Sequence, residues 1–95
     1  MFTEQIEGIF NAHPLIYRTA LVGVNGTPIL WVELEKGRHG EDKEKIKSEL
    51  IDLGKNHSQA SKIKTFLFMK KFPTDVRHNS KIIREKLARM ALGRI

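Results

Sequence analysis

Two stretches rich in β-branched and apolar residues, IYRTALVGV from Ile16 and ILWVELEK from Ile29, are separated only by a turn within NGTP. Strand-forming runs joined by a short Asn-Gly turn read as an antiparallel hairpin. Along the second run, the period of two puts Leu30, Val32 and Leu34 on one face. The other face carries Ile29, Trp31, Glu33 and Glu35, passing from apolar to acidic as the strand leaves the core.

The flanking segments supply cover for this hairpin. In TEQIEGIFNAHP, Ile6, Ile9 and Phe10 fall at helical spacing, Thr3 can cap the start, and Pro14 ends the helix. After GRHG, the acids Glu41, Asp42 and Glu44 favour a second helix start, with Ile46, Leu50 and Leu53 as its buried stripe running towards His57. NHSQAS is a loop, and KIKTFLFMKKF reads as a third strand that Pro73 ends. A last helix is expected to begin near Asn79 or Ser80, with Ile83, Leu87 and Met90 as its stripe. The whole reads as one α+β domain: a three-stranded sheet, made of the hairpin and a third strand, packed with three helices.

At 95 residues there is little interior left for an enclosed active site, so any chemistry should need a partner surface. Cysteine is absent, which excludes disulfides, thiolate zinc sites and a cysteine nucleophile, and agrees with a cytoplasmic setting. No apolar run approaches the roughly 18 residues of a membrane span. His13, His39, His57 and His78 lie in different segments without paired-ligand spacing, so a metal site is not expected. The glycines of GVNGTP lie between strands and do not form a phosphate loop.

Charge is distributed unevenly. Residues 62–95 carry ten Lys or Arg against two acids, whereas residues 1–61 carry seven against nine, so the net charge of +6 belongs to the last third. Such asymmetry points to an anionic partner. Phe66 and Phe68 beside Lys64, Lys70 and Lys71 are the pattern of an RNA-stacking sheet, although aromatic residues at period two more often face the core. Lys81 is expected in the first turn of the last helix, an end already positive by its dipole. An ammonium there invites an anion, which the helix amides, Arg77 and Arg84 could help to hold.

IEGIFNAHPLIYRTALVGV, then PILWVELEKG, a helix, and FPTDVRHNSKIIREKL resemble the carboxyl-terminal domain of AMP-forming acyl-CoA synthetases and related adenylate-forming ligases, over nearly the whole chain. Pro73, Lys81 and Ile82 match a stretched form of the family motif P-x-T-x-S-G-K-[IL]-x-x-R, with Arg84 one position ahead of its closing arginine. Two departures stand out: the path from Pro73 to Lys81 is two residues longer than usual, and Ser80 replaces glycine. VRHNSKIIREKLA looks more like the subset that includes β-lactone synthetases of bacterial olefin pathways.

The resemblance implies that residues 1–95 form a mobile lid whose hinge lies just before Met1 and whose Lys81 is the catalytic lysine of adenylation. It also implies a fatty or β-hydroxy-fatty carboxylate as substrate; Arg77 and Arg84 are the expected cofactor-binding residues, with the roles of Arg77 and His78 in the loop left open. ATP with magnesium would be held mainly by a large amino-terminal adenylation domain, and coenzyme A could be the acceptor. On this basis the chain alone is not expected to be active. A basic nucleic-acid-binding module and a non-catalytic interaction domain are the alternatives.

Overall fold

The structure, a computed structural model, describes residues 3–38, 40–72, 74–75, 81–82 and 84–94, with residues 3, 74–75 and 81–82 described in their backbone only. The helices are α1 (Thr3–Asn11), α2 (Lys43–Gly54) and α3 (Arg84–Leu92). Strands β1 (Ile16–Val24), β2 (Thr27–Leu34) and β3 (Thr65–Met69) form one sheet in that order, and β4 (Thr74–Asp75) with β5 (Lys81–Ile82) forms a separate ribbon. The expected α+β domain is therefore present, with a two-stranded ribbon in addition.

The hairpin turns on Asn25 and Gly26, at φ 52° and 80°, the left-handed pair that matches the twist of the strands it joins. β1 and β2 are antiparallel, whereas β3 runs parallel to β2, and α2 lies in the connection between them. Asp42, one of the acids expected to favour this helix start, caps α2 by accepting from the amides of Glu44 and Lys45. Among the described residues, no helix is long and apolar enough to cross a membrane.

Each face of the sheet has its own core. Leu30, Val32, Leu34 and Leu21 pack with Ile6 and Phe10 of α1, Ile46 and Leu50 of α2, and Phe66 of β3. Phe66 meets Phe10 edge to face at a centroid distance of 5.7 Å, so it offers no ring face to a nucleic-acid base. On the opposite face Ile29, Trp31, Ala20 and Val22 pack with Phe72 and with Leu87 and Ala91 of α3.

Three local expectations need correction. Met90 is 43% exposed, because the buried stripe of α3 is Leu87 and Ala91; Ile83 lies outside the described residues. The last helix begins at Arg84 instead of near residue 80, and the proposed caps Asn79 and Ser80 also lie outside them. Glu33 is buried rather than turned to water. The physical reason for that last difference is a bulge in β1, since the register shifts between Ile16, opposite Leu34, and Arg18, opposite Glu33. Tyr17 is the extra residue and stands 57% exposed, while Arg18 is brought across from Glu33 on the α3 side of the sheet.

Candidate functional site

Lys81 lies in β5, its backbone paired with Asp75 of β4, while Ile82 pairs with Thr74. This places it three residues ahead of α3 and not in its first turn, so the helix-dipole argument does not apply to it. The two residues by which this segment exceeds the common motif accompany a ribbon interposed between β3 and the helix. The side chain of Lys81, and Arg77 and His78 altogether, lie outside the described residues.

The ribbon is held on its β3 side by Phe72. The Phe72 ring is buried, and its amide donates to Glu33 Oε1 at 3.0 Å. Glu33 Oε1 also accepts from Arg18 Nε at 2.7 Å. The Arg18 guanidinium lies 5.3 Å from the ring centroids of both Tyr17 and Phe72, near enough for cation–π attraction to each. One buried carboxylate thus joins β1, β2 and the residue leading to the ribbon.

On its other side the ribbon runs to Arg84. Arg84 grips Glu7 of α1 through two contacts, Nη1 to Oε2 at 2.5 Å and Nη2 to Oε1 at 3.0 Å. Its Nη1 also donates to the carbonyl oxygen of Leu21 at 3.3 Å, and the Leu21 amide donates to Glu7 Oε2 at 2.6 Å. The hydrogen bond that Arg84 donates to Glu7, with the charges of Glu7 and Glu4, raises the Arg84 pKa above its ordinary range against the opposing effect of burial. Arg84, read from the sequence as a nucleotide ligand, therefore has its terminal nitrogens engaged within the fold.

Farther along α3, Trp31 Nε1 donates to the Leu87 carbonyl at 2.8 Å. Beside Phe72 an open groove of about 630 Å³ is lined by Met69, Lys71, Lys86, Arg89 and Met90 as well. Its three cations are solvent-facing and belong to the basic last third of the chain. Between α1 and β1, His13 accepts from the Leu15 amide through Nδ1 at 3.1 Å, which leaves Nε2 to donate to Glu49 at 2.7 Å.

No family model matches the chain. Over 93 residues it is 46% identical to the olefin beta-lactone synthetase of Xanthomonas campestris pv. campestris, and over 92 residues 39% identical to that of Stenotrophomonas maltophilia. The chain matches a carboxyl-terminal domain of the AMP-forming acyl-CoA synthetase family. Each of these alignments covers 93% of the chain but only 16% of the relative, so the chain spans about a sixth of the length of the curated synthetases it matches.

Solved structures of this synthetase family share the fold. Apo MatB from Rhodopseudomonas palustris superposes with a TM-score of 0.74 at 20% identity, over 95% of this chain and 18% of that one. The O-succinylbenzoate coenzyme A synthetase of Bacillus subtilis in complex with AMP does so with a TM-score of 0.64 at 19% identity, over 90% of this chain and 17% of that one.

The buried carboxylates Glu7 and Glu33 were not singled out from the sequence. Glu7 was legible in principle, since it falls one position from Ile6 and three from Phe10 and so borders the apolar stripe of α1. Glu33 carried no such signal, because only the bulge at Tyr17 reveals that a cation stands opposite it.

Proposed function

We propose that the chain is the carboxyl-terminal lid of an ATP-dependent, AMP-forming acid ligase and that Lys81 supplies the ammonium group for adenylation of a fatty or β-hydroxy-fatty carboxylate. The observation that carries this reading is the 46% identity to an olefin beta-lactone synthetase across a region that includes Lys81. In the reaction, a carboxylate oxygen attacks the α-phosphorus of ATP, the bond to the β-phosphate oxygen breaks, and pyrophosphate leaves the acyl-adenylate. Negative charge gathers on the phosphoryl and carboxyl oxygens as this happens. An ammonium aimed there stabilises the transition state more than the separated reactants.

The nucleotide and its magnesium would be held mainly by a large adenylation domain, which this fold does not contain. A domain of this size is suited to swinging over that site and away again. With a β-hydroxy-acyl group, the hydroxyl oxygen can close on the activated carbonyl, losing its proton to solvent and expelling AMP to form a four-membered lactone; coenzyme A would serve as acceptor for a simple acyl group. We assign the reaction to the cytoplasm.

The test is Lys81→Ala in the ligase that contains or recruits this chain. ATP–pyrophosphate exchange should fall by about 10² or more, the scale for removing one preorganised electrostatic group, with an unchanged circular dichroism spectrum. Exchange at the parental rate would refute the assignment.

A further inference from the structure

A ribbon with only two residues in each strand cannot hold its own orientation, because an isolated two-stranded hairpin is marginal even when much longer. Whatever aims the Lys81 segment must therefore lie at its attachments to the body. Among the described residues two flank the ribbon, and each ends on a buried carboxylate. Glu33 takes the amide of Phe72, two residues before β4. Glu7 takes the guanidinium of Arg84, two residues after β5.

We infer that Glu7 and Glu33 are positioning residues for Lys81, fixing the ribbon between two carboxylate anchors. This rests on the reading of Lys81 as the adenylation lysine. Both anchors are set in rigid structure. Glu33 stands in the central strand β2 and is steadied by Arg18, itself stacked against Tyr17 and Phe72. Glu7 stands on α1 and is fixed to β1 by the Leu21 amide. Charge-assisted hydrogen bonds of this kind are short and directional, so they define an angle as well as a distance. Apolar contacts could supply similar stability, since buried ion pairs are often replaceable without loss of stability, but they would not define direction in the same way.

The experiment uses the ligase that contains or recruits this chain, with Glu7→Gln, Glu33→Ala and Glu33→Gln made separately, alone and together with Lys81→Ala. The substitution Glu33→Gln retains an acceptor for the Phe72 amide, so it is expected to recover part of what Glu33→Ala loses. In the otherwise unaltered protein, Glu7→Gln and Glu33→Ala should lower the turnover of ATP–pyrophosphate exchange by about 10- to 100-fold, as small misplacements of a reacting group do. KM for ATP should stay within about twofold, since both carboxylates are buried within the domain. Combined with Lys81→Ala, neither should lower exchange further, because the three residues act as one unit. Amide hydrogen exchange should quicken at Thr74, Asp75, Lys81 and Ile82 while Leu30 to Val32 stay protected.

An equal loss from the anchor variants in the presence and absence of Lys81 would overturn the inference, since it would mark general damage to the fold. Unchanged protection of the ribbon amides would overturn it as well. If Glu7→Gln fails to fold, the two Glu33 variants decide alone. Parental exchange in Lys81→Ala would bring down the adenylation reading, while the amide measurements would still show whether the carboxylates hold the ribbon.

Discussion

The indole nitrogen of Trp31 donates to the carbonyl oxygen of Leu87 at 2.8 Å, tying the central strand of the sheet to the middle of α3. Both residues are fully buried, and the Arg94 guanidinium lies 5.6 Å from the centre of the indole. Substituting Trp31→Phe removes the donor and leaves a void beside α3. Expected destabilisation is about 2–3 kcal/mol, combining the lost hydrogen bond with the cavity term. Urea denaturation followed by circular dichroism measures it. In the parent protein, the single tryptophan should emit at short wavelength when folded and shift to the red on unfolding.

Arg84→Ala should destabilise the domain by about 2–3 kcal/mol. Breaking a fully buried pair costs roughly 3–5 kcal/mol, and the smaller figure follows from the 40% exposure of the Arg84 side chain. Because Glu7 raises the Arg84 pKa, the arginine contributes its full stabilisation from neutral pH up to the ordinary arginine range. That contribution is lost only as pH climbs past the raised value. The gap in unfolding free energy between parent and Arg84→Ala should therefore be the same at pH 7 and at about pH 10. A gap that narrows at the higher pH would contradict this account of the pair.

Gly54→Ala is expected to destabilise by about 1–2 kcal/mol, despite alanine's better helix propensity of up to roughly 1 kcal/mol. A β-carbon there would come within 3.0 Å of Phe10 Cζ and 3.1 Å of the Ala60 carbonyl oxygen. Phe10 is fully buried and the carbonyl is backbone, so neither yields easily. Thermal unfolding of the variant, several degrees below the parent, would bear this out.

Lys81→Arg should recover only part of the pyrophosphate exchange that Lys81→Ala loses. Guanidinium keeps the charge but spreads it over a planar fork, whereas the adenylation reading requires a compact donor. Recovery to the parental rate would mean that charge alone suffices at this position.

Much of the fold was legible because its signals are local. The Asn25–Gly26 turn, the Leu30–Val32–Leu34 face, the acidic start of α2 and the Ile46–Leu50 stripe each follow from a few neighbouring residues. The ribbon was not legible, since two residues per strand make no periodic pattern, and a capped helix was the simpler reading of HNSKII. The exposure of Met90 follows from the same error: with α3 starting at Arg84, Leu87 and Ala91 take the inner positions. Glu7 and Arg84 are 77 residues apart, and only tertiary structure makes them partners. Of the candidate site, the sequence picked out Lys81 and Arg84 but neither of the two buried acids.

β1 is an edge strand, and at Leu21 both of its outward backbone groups are occupied, the amide by Glu7 and the carbonyl by Arg84. A neighbouring protein cannot zip its own strand onto the sheet at that point without first dislodging the ion pair. The contact therefore also protects the domain against edge-to-edge aggregation, and variants that lose it should cloud solutions that the parent leaves clear.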